Sequence, residues 1–279
     1  MGGRMIKDIA VHLTGSNEDE VRIEHASALA RVLDARLTGL QVHEMPEVLT
    51  ITDPSGSGFL QELIADSVNR AAAVTDKLRP RLAATGLNFE LRRLDLFPGQ
   101  LAAALAGEVR FSDLFVGTRP YGDPNKQHRV EEAVLFESGR PCLFVPPGHR
   151  APVRYASVLV AWKNTREAAV ALATAIPLLQ AADQVTIAVV EEDGSSEQRG
   201  EAVDEDIGRY LSRHDIRSEV RLIDGWSNVS AAILNEAGRS GADLIVLGAY
   251  GHSRMREWAL GGVTRDVLSQ AAVPVFTAR

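Results

Sequence analysis

Polar and apolar residues alternate along this chain in blocks of two kinds. Short apolar runs that end in Gly, Ser, Asn or Pro, beginning with IKDIAVHL at 6–13, predict buried strands. Between them, apolar residues recur at helical spacing, as at Val21, Ile23, Ala26, Ala28, Leu29, Val32 and Leu33, and predict amphipathic helices. The first half thus reads as strand 6–13, helix from Glu18, strand 37–42, a loop-like stretch over 43–59, a long helix 60–84, strand 88–94, helix 100–109, strand 112–117 and closing strand 141–146. Breaker-rich PPGHRAP at 146–152 has no periodicity and marks a boundary between a domain at 1–147 and one at 153–279. The pattern then restarts with strand 157–162, helix 167–179, strand 184–190, a polar stretch 191–200, helix 202–214, strand 218–223, helix 229–240, strand 243–247, a helix opening near Val263 and closing strand 274–277.

The two halves can be laid on each other. Ser112–Gly117 matches Ala242–Gly248 apart from one residue, and SGRPCLFVP matches QAAVPVFTA. Self-similarity at a domain-sized interval indicates tandem duplication. Alternating strands and helices predict an α/β fold: two tandem doubly wound, Rossmann-like parallel-sheet domains, with ligands at the carboxyl ends of the strands.

Composition narrows the functions. At 279 residues and 45% hydrophobic content the chain can fill two cores. A net charge of −7 argues against nucleic acid, which needs a basic stripe. No apolar run reaches the ~18 residues that span a bilayer, and no apolar leader precedes the first strand, so a soluble cytoplasmic protein without membrane contact is expected. The single cysteine, Cys142, excludes an intrachain disulfide and a cysteine metal cluster, and a buried inert thiol is expected there. His12 on the first strand is expected as a satisfied core residue. No histidine or acid stands at metal-ligand spacing, so no protein-built metal site is expected.

The chemistry concentrates in one stretch. After the strand ending DLIVLG come Gly248, two residues, Gly251, nine residues, then Gly261, Gly262, Val263 and Thr264 at a helix start. Glycines let backbone N–H groups approach a ligand closely, and a helix start adds free amides and the positive end of its dipole. Thr264 offers a hydroxyl, and His252, Arg254, Arg256 and Arg265 put positive charge nearby. An anionic ligand such as phosphate fits this pattern; a surface loop with glycine turns and a basic rim fits it too. Trp162, Trp226, Trp258 and Tyr250 stand on strand ends and loops, where they can line a pocket or pack against helices.

The Gly-x2-Gly-x9-Gly spacing after the fourth strand, the order of elements and the closing VPVF strand resemble the universal stress proteins. Gly262 stands where that family has serine or threonine, and Thr264 matches a hydroxyl residue often found two positions later. The resemblance implies ATP or a related adenine nucleotide, with Mg²⁺ arriving on its phosphates. Phosphates would lie on Gly248–Thr264, and the base between the first-strand turn (Ala161, Trp162, Lys163, Asn164) and Val189 on the second strand. The family's turn reads Asp-Gly-Ser; here the halves read Thr14-Gly15-Ser16 and Lys163-Asn164-Thr165, both without the acid. The first half also lacks the glycines before its last helix and has Asp123, Glu131 and Glu132 there instead, so it is expected not to bind. Family members pair through the closing strand, which implies an intrachain pseudo-dimer and leaves a further homodimer open. No P-loop, nucleophile elbow or kinase signature is present. The sequence therefore points to a nucleotide-binding stress-response regulator. A scaffold or small-ligand sensor that has lost ATP is the alternative, and a slow ATPase a weaker one.

Overall fold

The computed structural model describes residues 6–47, 56–122, 129–190, 206–249 and 262–279. In chain order the first half contains β1 (Asp8–Leu13), α1 (Glu18–Leu33), β2 (Arg36–Glu44), α2 (Gly56–Ala84), β3 (Phe89–Leu96), α3 (Leu101–Val109), β4 (Leu114–Thr118), α4 (Arg129–Glu137) and β5 (Cys142–Val145). The second contains β6 (Ser157–Trp162), α5 (Arg166–Ala181), β7 (Gln184–Val190), α6 (206–212), β8 (Ser218–Ile223), α7 (Val229–Arg239), β9 (Leu244–Gly248), α8 (Gly262–Gln270) and β10 (Val275–Ala278). The expected loop at 43–59 is shorter than its turn residues suggested: β2 runs to Glu44 and α2 starts at Gly56, while 48–55 lie outside the described residues.

All strands among the described residues join one ten-stranded sheet in the order β3-β2-β1-β4-β5-β10-β9-β6-β7-β8. Every neighbouring pair is parallel except β5 and β10, which run antiparallel with Leu143 opposite Phe276. The two short apolar edges thus cover each other, the pairing expected of an intrachain pseudo-dimer. Within each half the chain steps outward through three strands, then crosses to the other side of the first. Each half therefore has a switch point beside its first strand, between β1 and β4 and between β6 and β9.

Side chains alternate across the sheet with period two. Ile9, Val11, Val158, Val160 and Phe276 face one core, shared with α1, α2, α5 and α6. Ala10, Leu159, Phe115, Ile245 and Val275 face the other, shared with α3, α4, α7 and α8. Among the described residues no helix is long and apolar enough to cross a membrane.

The duplication extends to the polar devices. Arg92 on β3 grips Glu90 at 2.6 Å and Glu108 on α3 at 3.0 Å; Arg221 on β8 grips Glu219 at 3.0 Å and Glu236 on α7 at 2.7 Å. Asp113 and Asp243, expected at the start of a strand, instead precede it and cap the neighbouring first strand. The Asp113 carboxylate accepts from the amides of Lys7 and Asp8 at 2.9 and 3.1 Å, and that of Asp243 from Ala156 and Ser157 at 2.8 and 3.2 Å.

This register also corrects the match between halves. Val11 lies opposite Val116 as Val160 lies opposite Val246, with no residue deleted. Arg119 and Ala249 then donate to the last closing-strand carbonyls, Val145 and Ala278. The structural counterpart of Gly248 is consequently Thr118, and Gly117 corresponds to Leu247.

Candidate functional site

The second switch point assembles the residues that the sequence singled out. α5 begins at Thr165, whose hydroxyl accepts from the Ala168 amide at 3.3 Å. The first turn of this helix presses against the end of β9. A Cβ on Gly248 would lie 2.5 Å from the Ala168 nitrogen and 2.6 Å from the Glu167 carbonyl carbon, so glycine is what lets helix and strand backbones touch. The requirement is close approach, since Gly248 is not among the residues with positive φ.

α8 opens at Gly262 beside this contact. Gly262 is exposed with open space around it, and Val263 is exposed as well. Thr264 is buried, and its hydroxyl donates to the Gly248 carbonyl at 3.3 Å, so it ties the helix start to the strand end. No acidic residue occupies the first turn of α8. Ala161 and Trp162 end β6, with Trp162 opposite Val189 on β7. Lys163 and Asn164 follow in an exposed turn. The structure thus gathers Gly248, Gly262, Val263, Thr264, Ala161, Trp162, Lys163, Asn164 and Val189 around the carboxyl ends of β6, β7 and β9. Gly251, His252, Arg254 and Gly261 lie outside the described residues.

Two features escaped the sequence reading. One is a cavity of about 430 Å³ between α5 and α6, lined by Trp162, Asn164, Ala169, Leu172, Ile207 and Tyr210 among others. Its volume falls within the range of small-molecule sites. No local motif announces it, because it depends on how two helices splay. The Trp162 indole N–H is buried without a hydrogen-bond partner.

The other is how the first half, already expected not to bind, accommodates Glu131. Glu131, third residue of α4, corresponds to Thr264, third residue of α8. Its carboxylate is buried 3.4 Å from the His12 imidazole. Gly117 lies in a tight place beside it, where a Cβ would lie 2.7 Å from the Phe115 ring and 3.3 Å from the Glu131 Cγ. The turn amides of this half are also taken: Thr14 and Gly15 donate to the Asp19 carboxylate at 2.9 and 2.8 Å, and Asp19 pairs with buried Arg22. Counting back from the closing strands, instead of matching glycines, would have found the Glu131–Thr264 correspondence. The expectation for His12 holds: it is buried and paired. Cys142 is fully buried and burial pushes its thiol well above the usual range.

The first half also braces α8. A Cβ on Gly122 would lie 2.6 Å from the Ser269 carbonyl oxygen, and Arg119 donates to the Ala271 carbonyl at 3.1 Å. The Arg265 guanidinium lies 5.6 Å from the centre of the Tyr121 ring.

Comparison with known proteins agrees with this architecture. Residues 154–279 match the model of the universal stress protein family. A universal stress protein of Synechocystis sp. is 34% identical over 71 residues, which is 25% of this chain and only 24% of that protein's length. Among solved structures, a universal stress protein from Archaeoglobus fulgidus DSM 4304 covers 99% of this chain and 97% of its own, with TM-score 0.77 at 19% identity. A protein of unknown function from Pseudomonas aeruginosa PAO1 covers 98% of this chain and 92% of its own, with TM-score 0.62 at 14% identity. At these identities the structural likeness speaks for the fold. Residues 154–279 are thus similar to the universal stress protein family, and the fold of the whole chain is similar to that of these solved structures.

Proposed function

We propose that the second half binds ATP or a related adenine nucleotide, and that the chain acts as a nucleotide-responsive regulator in a stress response rather than as an efficient enzyme. The observation that carries this reading is the exchange between Glu131 and Thr264. In one half a buried carboxylate stands where phosphate would approach; in the other, the same place holds a hydroxyl beside an acid-free, exposed helix start. A helix start with free amides attracts anions, and a carboxylate beside it repels them.

On this reading the phosphates, with any Mg²⁺ they bring, lie along Gly248–Thr264, to which Gly251, His252, Arg254 and Gly261 also contribute. The base lies toward Ala161, Trp162, Lys163, Asn164 and Val189. The cavity that Trp162 and Asn164 share with α5 offers aromatic and polar surface for it. Boundaries at 147 and 153 are proposed for the two domains.

The full chain, freed of small molecules, is titrated with ATP and Mg²⁺ by calorimetry, and protein as purified is denatured and searched for nucleotide by mass spectrometry. Binding heat that Gly262→Val removes is the expected result. Neither heat nor co-purified nucleotide would overturn the proposal. The second reading, a sensor for a small apolar ligand, draws on Leu172 and Ile207 in the cavity wall and on the missing acid in the Lys163–Thr165 turn. Quenching of Trp162 by an apolar fluorescent probe, in protein that ignores ATP, would favour it.

A further inference from the structure

We infer that the first half carries a Ser–His–Asp acyl-transfer site with Ser67 as its nucleophile. His43 lies near the carboxyl end of β2, directly opposite Asp95 on β3. Its Nδ1 stands 2.8 Å from Asp95 Oδ1, and its Nε2 stands 2.9 Å from the Ser67 Oγ on α2. The other carboxylate oxygen of Asp95 accepts from Arg93 Nε at 3.1 Å.

A carboxylate at Nδ1 holds the ring proton there, which leaves Nε2 bare to accept the Ser67 hydroxyl proton. Nucleophile, base and orienting acid are thus linked in the order used by serine acyl transferases, and such constellations are recognised by geometry and not by sequence position. The three residues come from two strands and a helix, so no local motif contains them. The neighbouring contact between β2 and α2 shows that docking this helix needs no such trio. There Gln41 donates to the Ala71 carbonyl at 2.9 Å and accepts from the Thr75 hydroxyl at 2.6 Å, with no ionisable group involved.

Access and substrate class follow from the same helix. Ser67 is 6% exposed, while Leu63, one turn earlier, and Phe59, a further turn earlier, are 36% and 67% exposed. Spacing of four places all three on one helical face. Exposed apolar side chains therefore stand on the helix face that carries Ser67, which suits a small ester with a short apolar acyl group and a good leaving group. In the first step the Ser67 Oγ bonds to the carbonyl carbon and the bond to the leaving oxygen breaks. The serine proton passes to His43 Nε2 and on to the departing oxygen. Water activated by His43 then adds to the acyl-serine, releasing the carboxylic acid and restoring Ser67. Backbone amides around Ser67 are engaged in α2, so the helix supplies no oxyanion donors and the acyl-serine turns over slowly.

The test mixes the full chain with p-nitrophenyl acetate, follows nitrophenolate release and locates the acyl group by peptide mass. The expected result is a stoichiometric burst with a single acetyl group on Ser67. Ser67→Ala abolishes it, and His43→Gln and Asp95→Asn slow it by about a hundredfold or more. Circular dichroism confirms that the variants stay folded, and Ser67→Cys, tested for His43-dependent alkylation by iodoacetamide, provides an independent reading. Acetylation at other residues alone, a burst that survives Ser67→Ala, or variants that lower the melting temperature without slowing acylation would each overturn the inference.

Discussion

Glu131 and Thr264 occupy one structural place, each the third residue of a nine-residue helix that leads into a closing strand. Thr264 reaches the Gly248 carbonyl, whereas Glu131 reaches the His12 imidazole. A single position thus holds a buried carboxylate in one half and a buried hydroxyl in the other.

If the Glu131–His12 contact closes the first half, removing the carboxylate should be costly, because a buried group loses its partner. Glu131→Ala is expected to lose about 3 kcal/mol, read as a lower urea midpoint at unchanged slope. Heat from ATP should not change, since the proposed site is in the other half. A loss below about 0.5 kcal/mol would show that the contact contributes little.

Gly248 and Gly262 belong to the same motif but have different tasks. A methyl group on Gly248 would run into the α5 backbone, which cannot move aside cheaply, whereas Gly262 has open space. Gly248→Ala is expected to cost about 3 kcal/mol through overpacking. Gly262→Ala should leave stability within about 0.5 kcal/mol. Denaturant unfolding of the two variants checks this, and equal effects would contradict the assignment.

Much of this was legible in the sequence because apolar periodicity reports directly on burial. The apolar runs of β1 and β6 and the helical spacing in α1 gave the elements, and the repeat gave the tandem arrangement. What stayed hidden depends on side chains distant in sequence. Asp113 and Asp243 look like strand residues but spend their carboxylates on amides of β1 and β6. Gly117 looks like the partner of Gly248, yet the register assigns that place to Thr118. The cavity beside Trp162 and the trio at His43 arise only when helices settle on the sheet. Family resemblance supplied the expected ligand, which no periodicity could.

Acid should weaken the fold through His25. Its Nδ1 lies 2.6 Å from the Tyr155 hydroxyl and its Nε2 lies 3.1 Å from the His149 carbonyl, an arrangement that suits the neutral ring. Burial lowers its pKa from 6.5 to about 4, with His149 beside it also lowered by burial. Asp243 is the nearby acid that acts on His149 and Tyr155. The unfolded chain takes up a proton near pH 6.5 that the folded chain refuses until about pH 4, so stability is present above 6.5 and falls by about 3 kcal/mol as pH drops through that window. Urea midpoints measured across it should show the decline, and His25→Gln should flatten it while lowering stability at neutral pH.

The join between halves should make them unfold together. Phe276 is fully buried, lies opposite Leu143 across the antiparallel contact and belongs to a core with residues from both halves. Phe276→Ala is expected to cost about 3–5 kcal/mol. All three tryptophans, at 162, 226 and 258, belong to the second half, so their fluorescence follows that half alone, while far-ultraviolet circular dichroism follows both. A shared core predicts coincident transitions by the two probes in the parent chain and in Phe276→Ala, displaced together to lower denaturant. If fluorescence moved while part of the dichroism signal kept its original midpoint, the halves would be separate folding units and the β5–β10 contact a junction without energetic consequence for the first half.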